Sequence, residues 1–368
     1  MNGQDIMPRR LYLLLTIISF IVVLGVLVFI HEFGHYISAK LAGIRVEEFA
    51  LGFGPKILSS KKGETVYSIR SIPLGGFCKM TGEVPPDEKM SDEEKAIYYE
   101  AKEKGQTFDQ KSPWKRFAVI FNGPLLNFLL AAFIFIFIFA AYGLPIASIN
   151  SNIIGDIAPG MPAAEAGFKI GDKILEIEGQ PIDEWTDLSG IISSSANQAL
   201  EVKYERNNQI KETTVKPRFD ESVGYAIIGI SPQLIREDVG IFRAIQLGFI
   251  RAGGLIWATF DAFVQMITGR TSADIGGPIM IATMVGQAAD IGFTTVLTLM
   301  ALISVNLGIL NLLPFPALDG GRLIFIVIEL IRGKPVNPEK ENMVHFVGFV
   351  ILMILMVFII IKDIGNFF

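Results

Sequence analysis

A chain of 368 residues is too long for one ordinary globular domain, and 51% of it is hydrophobic while only 19% is charged, with a mean hydropathy of +0.47. Such a composition excludes a disordered chain and most soluble enzymes. With 32 Lys and Arg against 37 Asp and Glu, the formal net charge of −5 offers no basic excess for nucleic acid, and a single cysteine cannot staple a secreted scaffold.

In chain order, four stretches carry no Asp, Glu, Lys or Arg and are long enough to cross a bilayer, for which about 20 residues suffice: 11–30, 118–149, 291–318 and 343–361. They predict four transmembrane helices. Arg9 and Arg10 ahead of the first give it the look of a signal sequence, but no small-residue cleavage site follows, so it is expected to be retained. The loop over 36–117 carries 14 Lys and Arg against 12 Asp and Glu, whereas 150–290 carries 11 against 18. This asymmetry assigns the first loop to the cytoplasm and the acidic segment to the outer side. Arg9 and Arg10 then fall outside, against that tendency. Residues 241–267 are also apolar, yet Arg243, Arg251 and Asp261 interrupt them and the longest uncharged run is nine residues. A helix lying on the membrane surface is expected there.

Shorter signals fill the loops. Residues 45–51 and 65–72 read as two β-prone runs, with turns at Gly52-Phe53-Gly54-Pro55 and Lys61-Lys62-Gly63. Ser91-Asp92-Glu93-Glu94 is a capping box that opens a charged helix, Gly105 can end it, and Ser112-Pro113 starts the helix leading into the second span. Cys78 has no partner and is expected to be a small buried apolar residue. Residues 150–233 have the composition of a soluble domain, with short β-prone runs between Gly, Pro and Asp-rich turns.

Chemistry gathers where the first apolar stretch ends, at His31-Glu32-Phe33-Gly34-His35. On a helix, residues i and i+4 share a face, so both imidazoles can reach one metal ion while Glu32 stays free to work on its water. The plain alternative is a pair of polar residues at a helix end, but ionisable groups abutting a spanning segment mark functional sites by default. Zinc held by two histidines in a hydrolase takes a third ligand, usually a carboxylate, and keeps one position open. Asp319 is the candidate, at the far end of the third stretch in Asn311-Leu312-Leu313-Pro314-Phe315-Pro316-Ala317-Leu318-Asp319-Gly320. Its alternative is a turn residue, since Asp-Gly is a turn signal. His31 and Asp319 both terminate their stretches on the C-terminal side, and with one antiparallel span between them the two ends reach the same leaflet, provided that 241–267 does not cross.

The His31–His35 motif, Asn122-Gly123-Pro124-Leu125-Leu126-Asn127 and the segment ending in Leu318-Asp319-Gly320 together resemble the signature set of the site-2 protease family of intramembrane zinc metalloproteases. Ile72-Pro73-Leu74-Gly75-Gly76-Phe77-Cys78-Lys79-Met80 and Ser304-Val305-Asn306-Leu307-Gly308 are similar to its bacterial branch that includes the regulator of sigma-E protease. The resemblance covers nearly the whole chain, which has room for one PDZ domain where that enzyme has two. It implies that His31, His35 and Asp319 hold Zn2+ and that Glu32 is the general base. It also implies that Asn127, Asn306 and Asn311 contact substrate, Asn311 foremost; interhelical hydrogen bonding is the alternative for Asn127. The β-prone runs would form a membrane-reentrant sheet that clamps unwound substrate by strand addition along 46–51, against the alternative of an ordinary cytoplasmic hairpin. Residues 158–179 look like the core of a circularly permuted PDZ domain, acting as a size filter or a peptide binder, the filter being favoured. Gly276-Gly277-Pro278-Ile279 resembles the family's loop before the third span.

The expected architecture is a polytopic α-helical membrane protein, four transmembrane helices with a membrane-associated β sheet and one extracytoplasmic PDZ domain of α+β type. Its expected parts are an N-terminal membrane region (1–149), the PDZ domain (150–233), a surface helix and loop (234–290) and a C-terminal membrane region (291–368). The expected activity is hydrolysis of a peptide bond within the transmembrane segment of a single-pass protein already trimmed by a site-1-type protease, such as an anti-sigma factor or a signal-peptide remnant. The bilayer is the other partner, nucleic acid is not one, and the location is the inner membrane with the active site toward the cytoplasm. Competing readings are a catalytically silent scaffold presenting the PDZ domain and a metal transporter. Glu32 between the histidines disfavours the first, and the lack of further ionisable residues along the second and fourth spans disfavours the second.

Overall fold

The computed structural model describes residues 9–84, 86, 90–148, 151–220, 224–270 and 276–367; the boundary expected at 149–150 lies outside them. Two compact units divide the chain, one drawn from Met1–Ile138 and Ile241–Phe368, the other from Phe139–Gly240. The second is wider at both ends than the 150–233 expected for the soluble domain.

The first unit opens with α1 (Arg9–Leu41), β1 (Val46–Lys62), β2 (Thr65–Met80), α2 (Asp92–Glu103) and α3 (Pro113–Tyr142). α1 does not stop where its charge-free stretch does. It continues to Leu41 and turns at Gly43, φ +71°, so His31 and His35 sit inside the helix rather than at its end. The Ser91 capping box of α2 and the Pro113 start of α3 form as the sequence predicts. Cys78 is buried among Ala39, Ile44, Val46, Val119 and Ile120.

β1 and β2 each bend, around Gly52 and Gly54 (φ +89° and +82°) and around Gly75 (φ +123°). In consequence 46–51 is paired along both sides: with 76–80, from Val46–Met80 to Leu51–Gly76, and with 66–69, from Glu48–Val66 to Leu51–Ile69. The stretch from Lys56 to Lys62 pairs only with 65–70. The free edges of this sheet are therefore 56–62 and 76–80. Residues 46–51, expected to take up substrate as an edge, are interior and have no unpaired side to offer.

α3 closes at Gly143, φ +77°, ahead of Pro145, and the apolar residues that follow become β3 (Leu144–Ala147) of the second unit. Then come β4 (Ile154–Ile157), α4 (Pro162–Glu165), β5 (Lys173–Ile177), β6 (Gln180–Pro181), α5 (Trp185–Ser194), β7 (Leu200–Arg206), β8 (Gln209–Val215), β9 (Arg218–Asp220), β10 (Tyr225–Ile227), β11 (Ile230–Pro232) and β12 (Leu234–Glu237). The main sheet has the order β6-β5-β7-β8, and α5 closes a core of Ile174, Ile177, Leu188, Ile192, Val202 and Val215. Antiparallel pairing of β12 with β3 draws 234–237 into this unit rather than into the helix after it. Buried Asp172 makes a two-pronged pair with Arg206, Nε to Oδ1 and Nη2 to Oδ2 both at 2.7 Å.

The chain re-enters the first unit as α6 (Ile241–Ile267), α7 (Pro278–Ile291), α8 (Phe293–Leu312), α9 (Asp319–Arg332) and α10 (Pro338–Phe367). Among the described residues, five helices are long and apolar enough to cross a membrane: α1, α3, α8 and α10, which match the four charge-free stretches, and α6. α6 buries Ala244, Gly248 and Ala252 on one face, Gly248 against Ile136 of α3. α8 ends at Leu312 because Pro314 forces Leu313 out of helical geometry (ψ 144°). Asp319 is thus the first residue of α9, beyond a loop, and not the last residue of the third span. Asp363 of α10 accepts the backbone N–H groups of Gly277, Ile279 and Met280 at 3.0, 3.1 and 3.2 Å, capping α7 from another helix. This places Gly276-Gly277-Pro278-Ile279 at a helix N-terminus, where a Cβ on Gly277 would lie 2.5 Å from Asp363 Oδ2.

Candidate metal centre

Packing of α1 on α3 is close enough that only glycine fits on either side. A Cβ on Gly34 would sit 2.2 Å from the Asn122 carbonyl oxygen, and one on Gly123 would sit 2.4 Å from His35 Nε2. Asn122 donates from Nδ2 to Ser38 Oγ at 2.5 Å, and Pro124 supplies no N–H to the carbonyl of Ile120. The Asn-Gly-Pro motif is thus the bed on which the histidine face of α1 lies.

Three ligand atoms converge there. His31 Nε2 and His35 Nε2 are 3.3 Å apart, and Asp319 Oδ2 lies 3.2 Å from the first and 3.4 Å from the second. The outer nitrogens are committed elsewhere. His35 Nδ1 donates to the Val119 carbonyl at 2.9 Å, which leaves Nε2 with its lone pair facing inward. His31 Nδ1 lies 3.1 Å from the amide of Asn127, itself fully buried. With Nε2 turned to a cation, Nδ1 carries the proton, and Asn127 receives it once its amide oxygen, otherwise buried without a partner, faces the ring.

The arrangement fits a metal ion. Asp319 Oδ2 is buried and makes no hydrogen bond, and a lone pair on His35 Nε2 would repel it at this distance unless positive charge lay between them. Zinc bonds of about 2.0–2.2 Å in a tetrahedron require ligand atoms roughly 3.3–3.5 Å apart. Observed separations of 3.2, 3.3 and 3.4 Å correspond to three edges of such a figure. His31, His35 and Asp319 are also the one group of at least three His, Cys, Asp or Glu among the described residues whose ligand atoms lie within 4.8 Å of one another.

Glu32 points off the adjacent face of α1 toward the sheet, half-buried, where a Cβ on Gly76 would lie 3.1 Å from its Cγ. Of the three predicted substrate contacts, Asn127 is engaged with His31. Asn306 and Asn311 are half-buried on α8, and neither side chain bonds to another described residue. α8 is held against α3 by Ser304 Oγ, which donates to the Asn127 carbonyl at 2.8 Å, and by Gly308 beneath the ring of Phe128.

Sequence reasoning missed the supports of Asp319. A Cβ on Gly320 would lie 2.1 Å from the Leu313 carbonyl oxygen, and one on Gly321 would lie 2.4 Å from that of Phe315. Arg116 Nη2 bonds Glu329 Oε1 at 2.5 Å, and Arg322 pairs with Glu83, tying α9 to the head of α3 and to the segment after the sheet. The fourth span does carry a further ionisable residue, His345, whose Nδ1 accepts the N–H of Ala317 at 3.0 Å. An isolated histidine in an apolar run gives no periodic signal, and the absence of Asp, Glu, Lys and Arg drew attention away from it.

Two histidines one helical turn apart, a glutamate between them and an aspartate from a distant helix, all set among long apolar helices, form a candidate metallopeptidase centre in a membrane-protein framework. Residues 19–355 match Peptidase family M50, and the chain belongs to that family. It is 36% identical to the zinc metalloprotease RasP of Geobacillus kaustophilus, over 96% of this chain and 98% of that one. It is 33% identical to the regulator of sigma-W protease RasP of Bacillus subtilis, over 96% and 99%. A solved PDZ domain of an SdrC-like protein from Listeria monocytogenes aligns with 23% of this chain and 87% of its own at 21% identity and a TM-score of 0.21. The chain is a zinc metalloprotease.

Proposed function

We propose that this protease cuts peptide bonds inside the membrane-spanning segment of a single-pass protein, with His31, His35 and Asp319 holding zinc and Glu32 acting as general base. The observation that carries the reading is the convergence of the three ligand atoms between α1 and α9, within a unit that holds five helices apolar enough for lipid among its described residues. When bound, zinc supplies positive charge that polarises a scissile carbonyl and acidifies a water. Glu32 takes a proton from the attacking water and returns it to the departing amide nitrogen, so the bond is cut with no net change at the carboxylate. Asn127 keeps His31 in the ligating tautomer, and Asn306 and Asn311, without a hydrogen-bond partner among the described residues, offer amides to the substrate backbone.

A transmembrane helix must be unwound before its carbonyls can be reached, and the unpaired edge of 76–80, beside Glu32, offers replacement hydrogen bonds. In this reading four helices cross the inner membrane and α6 lies along its surface, its charges at Arg243, Arg251 and Asp261 kept near water. That keeps the metal centre on the cytoplasmic side and the second unit, read as a PDZ domain that excludes substrates with bulky outer domains, on the other. The Bacillus subtilis relative carries the name regulator of sigma-W protease, and an anti-sigma factor already shortened outside the membrane is the kind of substrate proposed for this chain.

Zinc content and cleavage test the reading together. One zinc per chain is expected in the purified protein, lost in His31→Ala and Asp319→Ala, and kept in Glu32→Gln while cleavage of a tagged single-pass substrate falls by about 10²- to 10⁴-fold. Cleavage by Glu32→Gln at the wild-type rate would remove Glu32 from the chemistry.

A further inference from the structure

The histidine on α10 takes no part in the chemistry above, and its surroundings give it a task. Asp319 opens α9 directly after the loop 313–318, so the shape of that loop decides where the carboxylate arrives. The loop turns at Ala317, φ +75°, the one described non-glycine residue of its unit in the left-handed region. Alanine has neither glycine's freedom nor the side-chain hydrogen bond with which Asn or Asp eases that conformation. Within the loop the Leu318 N–H donates to the Phe315 carbonyl at 3.2 Å, closing the turn around Pro316 and Ala317, and a contact from outside can add to that hold.

α10 supplies that contact. His345 Nδ1 accepts the Ala317 N–H at 3.0 Å, and the imidazole lies against the ring of Phe325 on α9, centroids 5.5 Å apart. One turn further along, Gly348 lets the helix backbone touch the loop: a Cβ there would lie 2.4 Å from Pro316 Cβ and 2.6 Å from the Pro316 carbonyl oxygen. Because Nδ1 accepts, a neutral ring carries its proton on Nε2, which is buried without a hydrogen-bond partner, 4.0 Å from Glu341 Oε1. The ring therefore meets the loop through one nitrogen used as an acceptor, while Gly320 and Gly321 close the loop from the α9 side.

We propose that His345 is a positioning residue for the metal centre: by accepting the Ala317 N–H it holds the left-handed turn that delivers Asp319 Oδ2 to His31 and His35. The last apolar helix thereby sets the third ligand without touching the ion. This rests on Asp319 being a ligand, and the test separates the two claims.

The full-length protein in detergent is loaded with cobalt(II) in place of zinc and its visible spectrum recorded, and zinc loss to a chelator is timed separately. Asp319→Ala supplies the spectrum of a centre without its third ligand. His345→Phe keeps a ring and removes the acceptor, whereas His345→Asn puts an amide oxygen near the position of Nδ1. The expected result is a His345→Phe spectrum moved toward that of Asp319→Ala with zinc lost about 10- to 100-fold faster, as for other groups that orient metal ligands, and a His345→Asn protein close to wild type in both. Adding Ala317→Gly to His345→Phe is expected to recover most of the wild-type spectrum, since glycine adopts the turn unaided. If His345→Phe does not yield folded protein, His345→Asn and the double variant decide by the same readouts. Wild-type spectrum and zinc retention in His345→Phe, with Asp319→Ala clearly altered, would overturn the role of His345 and leave the ligand assignment standing. Equal loss in His345→Phe and His345→Asn would overturn it in favour of ring packing alone. An unaltered spectrum in Asp319→Ala would remove the ligand assignment and the proposal with it.

Discussion

Gly123 has no space for a methyl group. Its Cβ would lie 2.4 Å from both Cε1 and Nε2 of His35 and 3.1 Å from Cε1 of His31, so Gly123→Ala must push the imidazoles off their line. Misplacement of reacting groups by about 1 Å costs on the order of 100-fold in rate. Gly123→Ala is therefore expected to lose zinc and at least that much activity while α1 and α3 remain helical, as metal analysis and circular dichroism would show. Asn127 tests a different point. If it holds the His31 tautomer, Asn127→Leu weakens zinc binding by about 10- to 100-fold and Asn127→Asp, which keeps an acceptor, far less. A substrate contact would instead raise KM with zinc unchanged, which competition titration and kinetics distinguish. The residues of the centre were legible because His31, Glu32 and His35 are a short-range pattern, one helical turn on one face. For Asn127 the sequence left a substrate contact and an interhelical hydrogen bond both open, and the contact with His31 is of the second kind.

At the scale of elements, the bends in β1 and β2 decide where a substrate strand can attach. Residues 46–51 lie between two neighbours, and only 56–62 and 76–80 keep an unpaired side. Photocrosslinkers placed along 76–80 are expected to trap a substrate near its cut site and those along 46–51 not to; adducts confined to 46–51 would contradict the pairing. The sequence showed β-prone runs and their glycines, but which run is central depends on pairing between segments far apart in the chain. α7 carries a similar lesson. Its first turn has no cap of its own, and Asp363 accepts three of its N–H groups from another helix. Asp363→Ala is expected to lower the Tm and to speed amide exchange at Gly277, Ile279 and Met280 ahead of the rest of α7, measured by hydrogen–deuterium exchange. Unchanged exchange there would show that α7 is held by its packing on α1 alone.

The whole molecule divides into two compact units. In the second unit Asp172 pairs with Arg206, and its carboxylate holds the guanidinium above its ordinary pKa by accepting two hydrogen bonds. Arg206→Ala leaves a buried carboxylate uncompensated and is expected to destabilise this unit by about 3 kcal/mol, the low end for a buried pair because the arginine reaches solvent. Zinc content should not change, since every proposed ligand belongs to the first unit; differential calorimetry with metal analysis checks both halves of that statement. Four of the long helices were readable from the absence of charge, but their ends were not. Gly143 and Pro314 cut short apolar runs that continue past them, whereas α1 outlasts its run and stops only before Gly43.

Asp319 follows His35 by 284 residues, and the whole second unit is made in between. During synthesis, the two histidines emerge and enter the bilayer long before the carboxylate that completes the set has been translated. On the proposed ligand set the centre is completed only when α9 has been made, and a shorter nascent chain would be inert. A chain ended after Leu312 should insert its earlier helices and bind no zinc at His31 and His35 tightly enough to survive purification. With those ligands, their distance in sequence would act as a timer, and proteolysis would begin only after the last of them had been translated.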